Sequence, residues 1–295
     1  MTLSQYEMLR ADLCEKVDAG QWHQALRLAQ EGYECARLER EDSLEQRAFC
    51  NLAIVEIELG QGAPWVPRLR ELILAARDPR VRFLAAYNLS RALQLARDFP
   101  KATFYARIAR HTAPDLQDAS WSASAHNLLG TLLLELGRTS EAKHEYERGC
   151  VLLKDLGHHP WLAVLLQNLG HCKVLTGEIA DGARCLEQCR NLLTGRPAPS
   201  HSHLHLHLSI SFLHLVEARF WEARDHALKA LDCGHQLRCR EGLKSALFLL
   251  GESSKRVCDL TLASWCFDEL QTFYPEMPDV TELLMTVDLS EWVRI

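Results

Sequence analysis

The chain has 295 residues, of which 47% are hydrophobic and 24% are charged, and its formal net charge is −6. This balance is typical of a folded protein and excludes an intrinsically disordered one. No run approaches the ~18 apolar residues that a membrane span requires, and the start MTLSQYEMLR lacks the basic and apolar regions of a secretory signal. We therefore expect a cytoplasmic protein with no membrane partner.

The predicted elements are helices throughout, because Leu, Ala, Glu, Gln and Arg dominate and β-branched residues are sparse. In chain order, a pattern of helix, turn and second helix recurs seven times, and it is clearest at 128–150 and 168–189. The predicted repeats lie near residues 3–40, 43–78, 80–112, 118–156, 160–195, 202–238 and 241–275. Together they make a repeat domain over residues 1–275, and residues 279–295 are predicted to form a C-terminal capping helix.

The register of the repeats is set by one position late in each first helix, and successive repeats are 37 to 41 residues apart. This position is occupied by Leu13, Ala53, Ser90, Gly130, Gly170, Ser211 and Gly251. Small residues recur twelve positions later, where two helices must pack closely, at Ala25, Ala102, Ala142, Gly182, Ala223 and Ala263. A third column, nineteen positions later, is again mostly small: Gly32, Leu72, Ala109, Gly149, Cys189, Ala230 and Leu270.

The turn between the two helices falls seven residues after the register position, at Gly20, Gly60, Arg97, Gly137, Gly177, Ala218 and Cys258. Four glycines in seven positions are far above chance in this chain. Glycine at the end of a helix is typical of a residue that must adopt a positive φ. We therefore predict a left-handed residue at the turns where this position is glycine.

These columns resemble the tetratricopeptide repeat, whose signature has a small residue late in the first helix and Ala early in the second. The last repeat matches best, with Leu250-Gly251, Ala263, Phe267 and Pro275, and the fourth follows with Leu129-Gly130, Ala142, Tyr146 and Gly149. The stride near 40 residues is similar to the long-repeat branch found in kinesin light chains and bacterial signalling regulators. The resemblance, over about residues 3–275, implies an all-α, right-handed solenoid.

Repeat two departs from the pattern. Trp65 and Leu72 replace small residues, and Pro64 and Pro67 interrupt the start of its second helix. Since proline is tolerated only in the first turn of a helix, this second helix is expected to be displaced or to begin late.

A binding groove is expected along the first helices, which line the inner wall of such arrays. A recurring Asn-Leu-small triplet places Asn51, Asn88 and Asn168 near the groove edge, with Asn127 one residue out of register. Asn at this position often holds an extended ligand in related repeat families, and the resemblance implies the same for this chain. A carboxamide can pair with a peptide main chain, or with neighbouring helices inside the array, and both interpretations remain open.

The remaining groove candidates lie about one helical turn along each wall. The wall is polar through repeats two to five and becomes more apolar in repeat six, which favours a partner with a polar stretch followed by an apolar anchor. The candidates are Arg91, Gln94, Thr131, Gln167, His171, His205, Leu208, Phe212, Glu252 and Lys255.

The histidine run HSHLHLHLSISFLHL at 201–215 could chelate metal through i,i+4 pairs on a helix. No acidic residue or cysteine adjoins it to complete a tetrahedral site, so partial burial and adventitious metal are favoured over a physiological site. The eleven cysteines have irregular spacing and no C-x-x-C pair, which argues against disulfides and zinc. Most lie in amphipathic segments and are interpreted as small core residues: Cys14, Cys150, Cys172, Cys185, Cys189, Cys258 and Cys266.

The sequence contains no nucleotide-binding loop or catalytic motif, and its basic residues are scattered singly. We expect no enzyme activity, no cofactor and no direct nucleic-acid partner. The favoured function is an adaptor that binds a peptide or disordered segment of a protein partner in its groove. The alternative is a sensor that binds a small signalling peptide or metabolite and sequesters another regulator. Self-association is a weaker third possibility.

Overall fold

The computed structural model describes residues 3–39, 41–156, 160–196 and 199–287. Within these ranges the chain forms fifteen α-helices and no β-strand. The helices are α1 Leu3–Asp18, α2 Trp22–Glu39, α3 Asp42–Glu58, α4 Val66–Ala75, α5 Pro79–Leu95, α6 Phe99–Thr112, α7 Ala119–Glu135, α8 Thr139–Leu153, α9 Pro160–Leu175, α10 Ile179–Leu193, α11 His201–Val216, α12 Phe220–Leu237, α13 Arg240–Arg256, α14 Leu260–Gln271 and α15 Val280–Thr286. None of the helices in the described part of the chain is long and apolar enough to cross a bilayer.

The chain divides into two compact units, Met1–Leu162 and Ala163–Ile295. Unit 1 contains α1 to α8, and unit 2 contains most of α9 and all of α10 to α15. In each unit neighbouring helices pack side by side, as α3 does on α5 and α7 on α8 in unit 1, and α11 on α12 in unit 2.

The turn between paired helices has a left-handed residue at all seven positions, as predicted for the four glycines and also at three residues for which the sequence did not predict it. The four glycines have φ between 68° and 82°, and Arg97, Ala218 and Cys258 adopt φ of 60°, 57° and 62°. At each turn the left-handed residue donates its N–H three residues back, and the next residue donates five residues back, as Gly137 does to Leu134 and Arg138 to Leu133. These paired bonds satisfy the last carbonyls of the first helix and fix the stride of the repeat.

The second helix of repeat two begins late, as predicted. In the other six repeats the second helix starts nine residues after the register position, for example at Thr139 after Gly130. In repeat two the α-helix begins only at Val66, thirteen residues after Ala53, because a short 3-10 helix at Ala63–Trp65 precedes it. Pro64 in that 3-10 helix and Pro67 in the first turn of α4 lack the N–H that a helix interior would need.

The register position packs against a residue sixteen places later on the second helix, and the two side chains compensate in size. A Cβ added to Gly130 would lie 2.6 Å from Tyr146 Cε1, and one added to Gly251 would lie 2.4 Å from Phe267 Cε1. In repeats three and six the later residue is alanine and the register position is serine, whose hydroxyl donates to a carbonyl twelve residues on. Ser90 bonds to Ala102 O and Ser211 to Ala223 O, both at 2.8 Å. The spacing between the two helices of a repeat is therefore set by the paired volumes of these two side chains, the one at the register position and the one sixteen residues later.

The cysteine interpretation is correct for part of the set. None of the eleven cysteines, which all lie in the described ranges, forms a disulfide, and Cys172, Cys189 and Cys266 are buried. It is wrong for Cys14 and Cys258, which are exposed. Cys258 is the left-handed residue of the last turn, where a side chain points to solvent, and Cys14 follows the core residue Leu13 on the outward side of α1.

The C-terminal segment begins with α15, which packs on α14. Val280 is buried, and Leu284 and Met285 contact the apolar core of the last repeat. Of the capping helix expected at 279–295, residues 288–295 lie outside the described part of the chain.

Candidate partner-binding surface

The first helices of the pairs present a shared surface in each unit, here called the first-helix face. In unit 1 it is formed by α1, α3, α5 and α7, and in unit 2 by α9, α11 and α13. Side chains on neighbouring first helices contact each other directly, as Asn51 does with Tyr6 and His171 with Phe212. The groove residues predicted from the sequence lie on these helices.

In unit 1 the asparagine side chains bond within the array. The Asn88 Nδ2 donates to the carbonyl of Cys50 at 2.7 Å, and Asn88 itself is 2% exposed. The Asn51 Nδ2 donates to the Tyr6 hydroxyl at 2.8 Å, in a half-buried position. Both bonds link consecutive first helices, which is the second of the two interpretations of these residues. A buried carboxamide without such a partner would cost roughly 1–3 kcal/mol.

Arg91 and Gln94 belong to a paired polar cluster on α5. The Arg91 guanidinium forms a two-pronged ion pair with Glu58 of α3, at 2.7 to 2.8 Å, and its Nη1 donates to Gln94 Oε1 at 2.7 Å. Burial alone would lower the pKa of Arg91, but the charge of Glu58 outweighs it and raises this pKa. Glu58, a partner that sequence reasoning missed, thus holds Arg91 in place, and Arg91 in turn holds Gln94.

The α7 wall is held in a similar way. The Thr131 hydroxyl donates to the Asn127 carbonyl at 3.0 Å and accepts from the Tyr146 hydroxyl at 3.2 Å. Behind this wall Glu145 is buried between Arg110 and His126, with contacts of 2.7 and 2.6 Å. Burial would raise the pKa of Glu145, but the hydrogen bond from His126 and the charge of Arg110 outweigh it, so this pKa lies below its ordinary value.

In unit 2 the face is more apolar. The His171 ring lies 5.1 Å from the Phe212 ring, and both side chains are half-buried together with Leu208. His205, one turn before Leu208 and Phe212 on α11, is exposed. Burial lowers the pKa of His171 to about 4, so this imidazole is neutral at physiological pH, and its buried Nδ1 has no hydrogen bond to any described residue.

The polar candidate residues of unit 2 have partners within the chain. Gln167 is buried and donates to Ser209 Oγ on α11 at 2.7 Å, and Asn168, like Asn127 in unit 1, is half-buried and has an interaction partner. Glu252 is buried beside Lys255, whose Nζ lies 2.8 Å from Glu252 Oε2.

Lys255 also binds the C-terminal helix. Its ammonium donates to the carbonyls of Leu284 and Val287, at 2.7 and 2.9 Å. Positive charge at the C-terminal end of a helix satisfies free carbonyls and complements the helix dipole. The sequence predicted α15 and Lys255 separately, and nothing in it indicated that they meet.

The histidine run forms a helix, and its alternation places successive imidazoles on different sides of α11. His203 bonds to Ser200 at 2.8 Å, and His207 lies against His226 of α12, at 3.0 Å between their Nδ1 atoms. His226 was missed because it lies nineteen residues from His207 in sequence. In the described ranges no three His, Cys, Asp or Glu side chains converge on a metal position.

No protein-family model matches the chain, and no curated protein matches it. Among solved structures, a Rap protein in complex with Competence and Sporulation Factor is similar with a TM-score of 0.68 and 12% identity, over 95% of this chain and 77% of that one. A tetratricopeptide repeat protein from Parabacteroides merdae is similar with a TM-score of 0.56 and 13% identity, over 95% and 99% of the two chains. A kinesin-light-chain-like protein from Podosopora anserina with nearly identical TPR-like repeats has a TM-score of 0.50 and 16% identity, over 65% and 96%.

The fold is of the tetratricopeptide type. The all-α helical-repeat class predicted from the register columns is confirmed, and so is the resemblance to kinesin-light-chain-like and bacterial regulator proteins at the level of the fold. In this tetratricopeptide-type fold the candidate residues lie on first helices, which pack on second helices, as α7 does on α8 and α11 on α12.

Proposed function

We propose that the chain is a protein–protein interaction adaptor that binds a peptide or disordered segment of a partner on its first-helix face. The proposal gives the chain no catalytic step of its own. The observation that supports this proposal is that the polar and the apolar candidate residues differ in whether they have partners within the chain. Most polar candidates already have partners within the chain, whereas His205 is exposed and His171, Leu208 and Phe212 are half-buried.

The anchor of the partner segment is proposed to lie on unit 2, at His171, His205, Leu208 and Phe212. Half-buried aromatic and aliphatic side chains next to an exposed imidazole favour an apolar residue flanked by hydrogen-bonding groups. Rotation of the His171 ring toward such a ligand would give its unsatisfied nitrogen a partner.

The polar candidates are proposed to act as a rigid frame for the first-helix face of the unit in which each of them lies. Asn51, Asn88, Arg91, Gln94 and Gln167 each hold two helices or two side chains together, so a partner segment meets a surface that is already ordered. Preorganisation of this kind raises affinity because little conformational entropy is lost on binding.

A binding experiment tests this proposal. Peptides are selected from a displayed random library against the full chain, and their affinities are measured by calorimetry for Phe212→Ala and for Leu228→Ala. Leu228 is an exposed side chain on α12, a second helix, and provides the matched control. We expect Phe212→Ala to weaken binding at least about tenfold and Leu228→Ala to change it less than about twofold. Equal loss in both variants, or none in either, contradicts the proposal.

The sensor alternative has one observation in its favour, the likeness of this fold to a Rap protein bound to Competence and Sporulation Factor. In that case a short selected peptide would change the dimensions of the whole chain. Small-angle scattering with and without the peptide distinguishes the two functions, because an adaptor with a preformed face keeps its radius of gyration.

A further inference from the structure

A pair of histidines joins α11 to α12 in unit 2. His207 and His226 face each other through their Nδ1 atoms at 3.0 Å, with ring centroids 5.1 Å apart. A neutral imidazole carries one N–H and one lone pair, so this contact is a hydrogen bond in which one ring donates and the other accepts. The His214 ring, two turns further along α11, lies 5.7 Å from His226 and completes a cluster.

The proton count of this pair is limited by its geometry. One added proton can reside on an outward Nε2 and leave the facing nitrogens bonded. A second proton places an N–H on both facing nitrogens, and two donors cannot bond to each other. It also places two positive charges a few ångströms apart, which is unfavourable in a partly buried setting.

The surroundings of the pair also disfavour added charge. Arg190 of α10, Lys229 of α12 and His203 and His214 of α11 oppose protonation, and Asp225 of α12 favours it. Burial first and these neighbouring charges second lower the pKa of both His207 and His226 to about 4. The contact is therefore intact near neutral pH and under strain in acid.

We propose that the His207–His226 contact is an acid-sensitive latch that holds α11 against α12 and releases it when both rings are protonated. The consequence for binding rests on the proposed function, since α11 also carries His205, Leu208 and Phe212. Release of the latch would move these side chains and weaken capture of the partner segment. The run of histidines in the sequence thus acquires a role that requires no metal.

The titration of the pair is tested first, on the full chain without any peptide. Ring-selective ¹³C-histidine NMR between pH 8 and pH 4 follows each imidazole. We expect His207 and His226 to stay neutral until well below the ordinary histidine value of 6.5, and His207→Gln to move the His226 midpoint upward. His144→Gln removes an exposed histidine of α8 and should leave His226 unchanged. Independent titration of both rings near 6.5 overturns the proposal.

Release of the helices is measured separately by amide hydrogen exchange with mass spectrometry, corrected for the intrinsic pH dependence. The wild-type segments at 201–216 and 220–237 should lose protection at pH 4.5 by about tenfold relative to pH 7. The double variant His207→Gln, His226→Gln, whose amides can bond to each other, should lose much less. Equal pH dependence in both proteins contradicts a latch. If these results hold but selected peptides fail to bind unit 2, the proposed function fails and the latch stands.

Discussion

Replacement of Gly130 by alanine should destabilise unit 1, although alanine is the better helix former. The added Cβ would lie 2.6 Å from Tyr146 Cε1 and 2.9 Å from two further ring atoms. Overpacking of a close-packed core costs about 1–3 kcal/mol, and helix propensity returns about 1 kcal/mol. Three contacts this short put the cost at the upper end, so we expect a net loss of about 2 kcal/mol of unfolding free energy.

Gly32→Ala is the matched control for this prediction. Gly32 also lies inside a helix of unit 1, but a Cβ there would lie 4.0 Å from Tyr6 Cε2, an ordinary contact. This variant should gain about 0.5–1 kcal/mol from helix propensity and reduced chain entropy. Urea unfolding followed by circular dichroism measures both variants.

A double-variant cycle isolates the packing contribution. Tyr146→Ala alone should cost about 3–5 kcal/mol through the cavity it leaves. In that background Gly130→Ser should be neutral or stabilising, because it recreates the Ser90–Ala106 pair present in repeat three, whereas in the wild type it should destabilise. If Gly130→Ala is as stable as the wild type, or if the effect of Gly130→Ser has the same sign in both backgrounds, paired volumes do not set the helix spacing.

Three further predictions concern the turns, the buried carboxylate and the C-terminal helix. Ala218→Gly relieves a left-handed alanine at φ 57° and should raise unfolding free energy by about 0.5–1 kcal/mol, while Gly177→Ala should lower it by about 1 kcal/mol, both by urea unfolding. The pKa of Glu145 is lowered from 4.5 in the folded state, so the stability that its carboxylate contributes is present above pH 4.5 and is lost as pH falls through the pKa of the folded protein. Glu145→Gln should therefore flatten the acid limb of a pH series of melting temperatures. Lys255→Met removes the donor to the Leu284 and Val287 carbonyls and should speed proteolytic cleavage around α15, with Lys229→Met as the exposed control that leaves the rate unchanged.

The repeat register could be predicted because backbone geometry imposes it. A left-handed turn residue selects glycine at four of seven positions, and close helix packing selects small residues at fixed intervals, so both leave a visible trace in the sequence. The late start of α4 followed from Pro64 and Pro67 for the same reason: a missing N–H restricts where a helix can begin.

The partners of individual side chains could not be predicted in this way. Asn88 bonds to the Cys50 carbonyl, and Lys255 bonds to α15, because of rotamers and helix offsets that leave no periodic signal. The exposure of Cys14 could not be predicted either, because a position in an amphipathic segment does not by itself show whether the side chain faces the neighbouring helix or solvent. The His207–His226 contact depends on two helices meeting at one point, and neither histidine indicates the other.

Site-specific photo-crosslinking tests the central claim most directly. A photoreactive phenylalanine analogue is placed at Leu208 on the first-helix face and, in a second protein, at Leu228 on a second helix, and each is irradiated with a labelled selected peptide. We predict covalent capture of the peptide from position 208, suppressed by excess unlabelled peptide, and no capture from position 228. Capture from 228 alone, or equal capture from both positions, would contradict binding on the first-helix face.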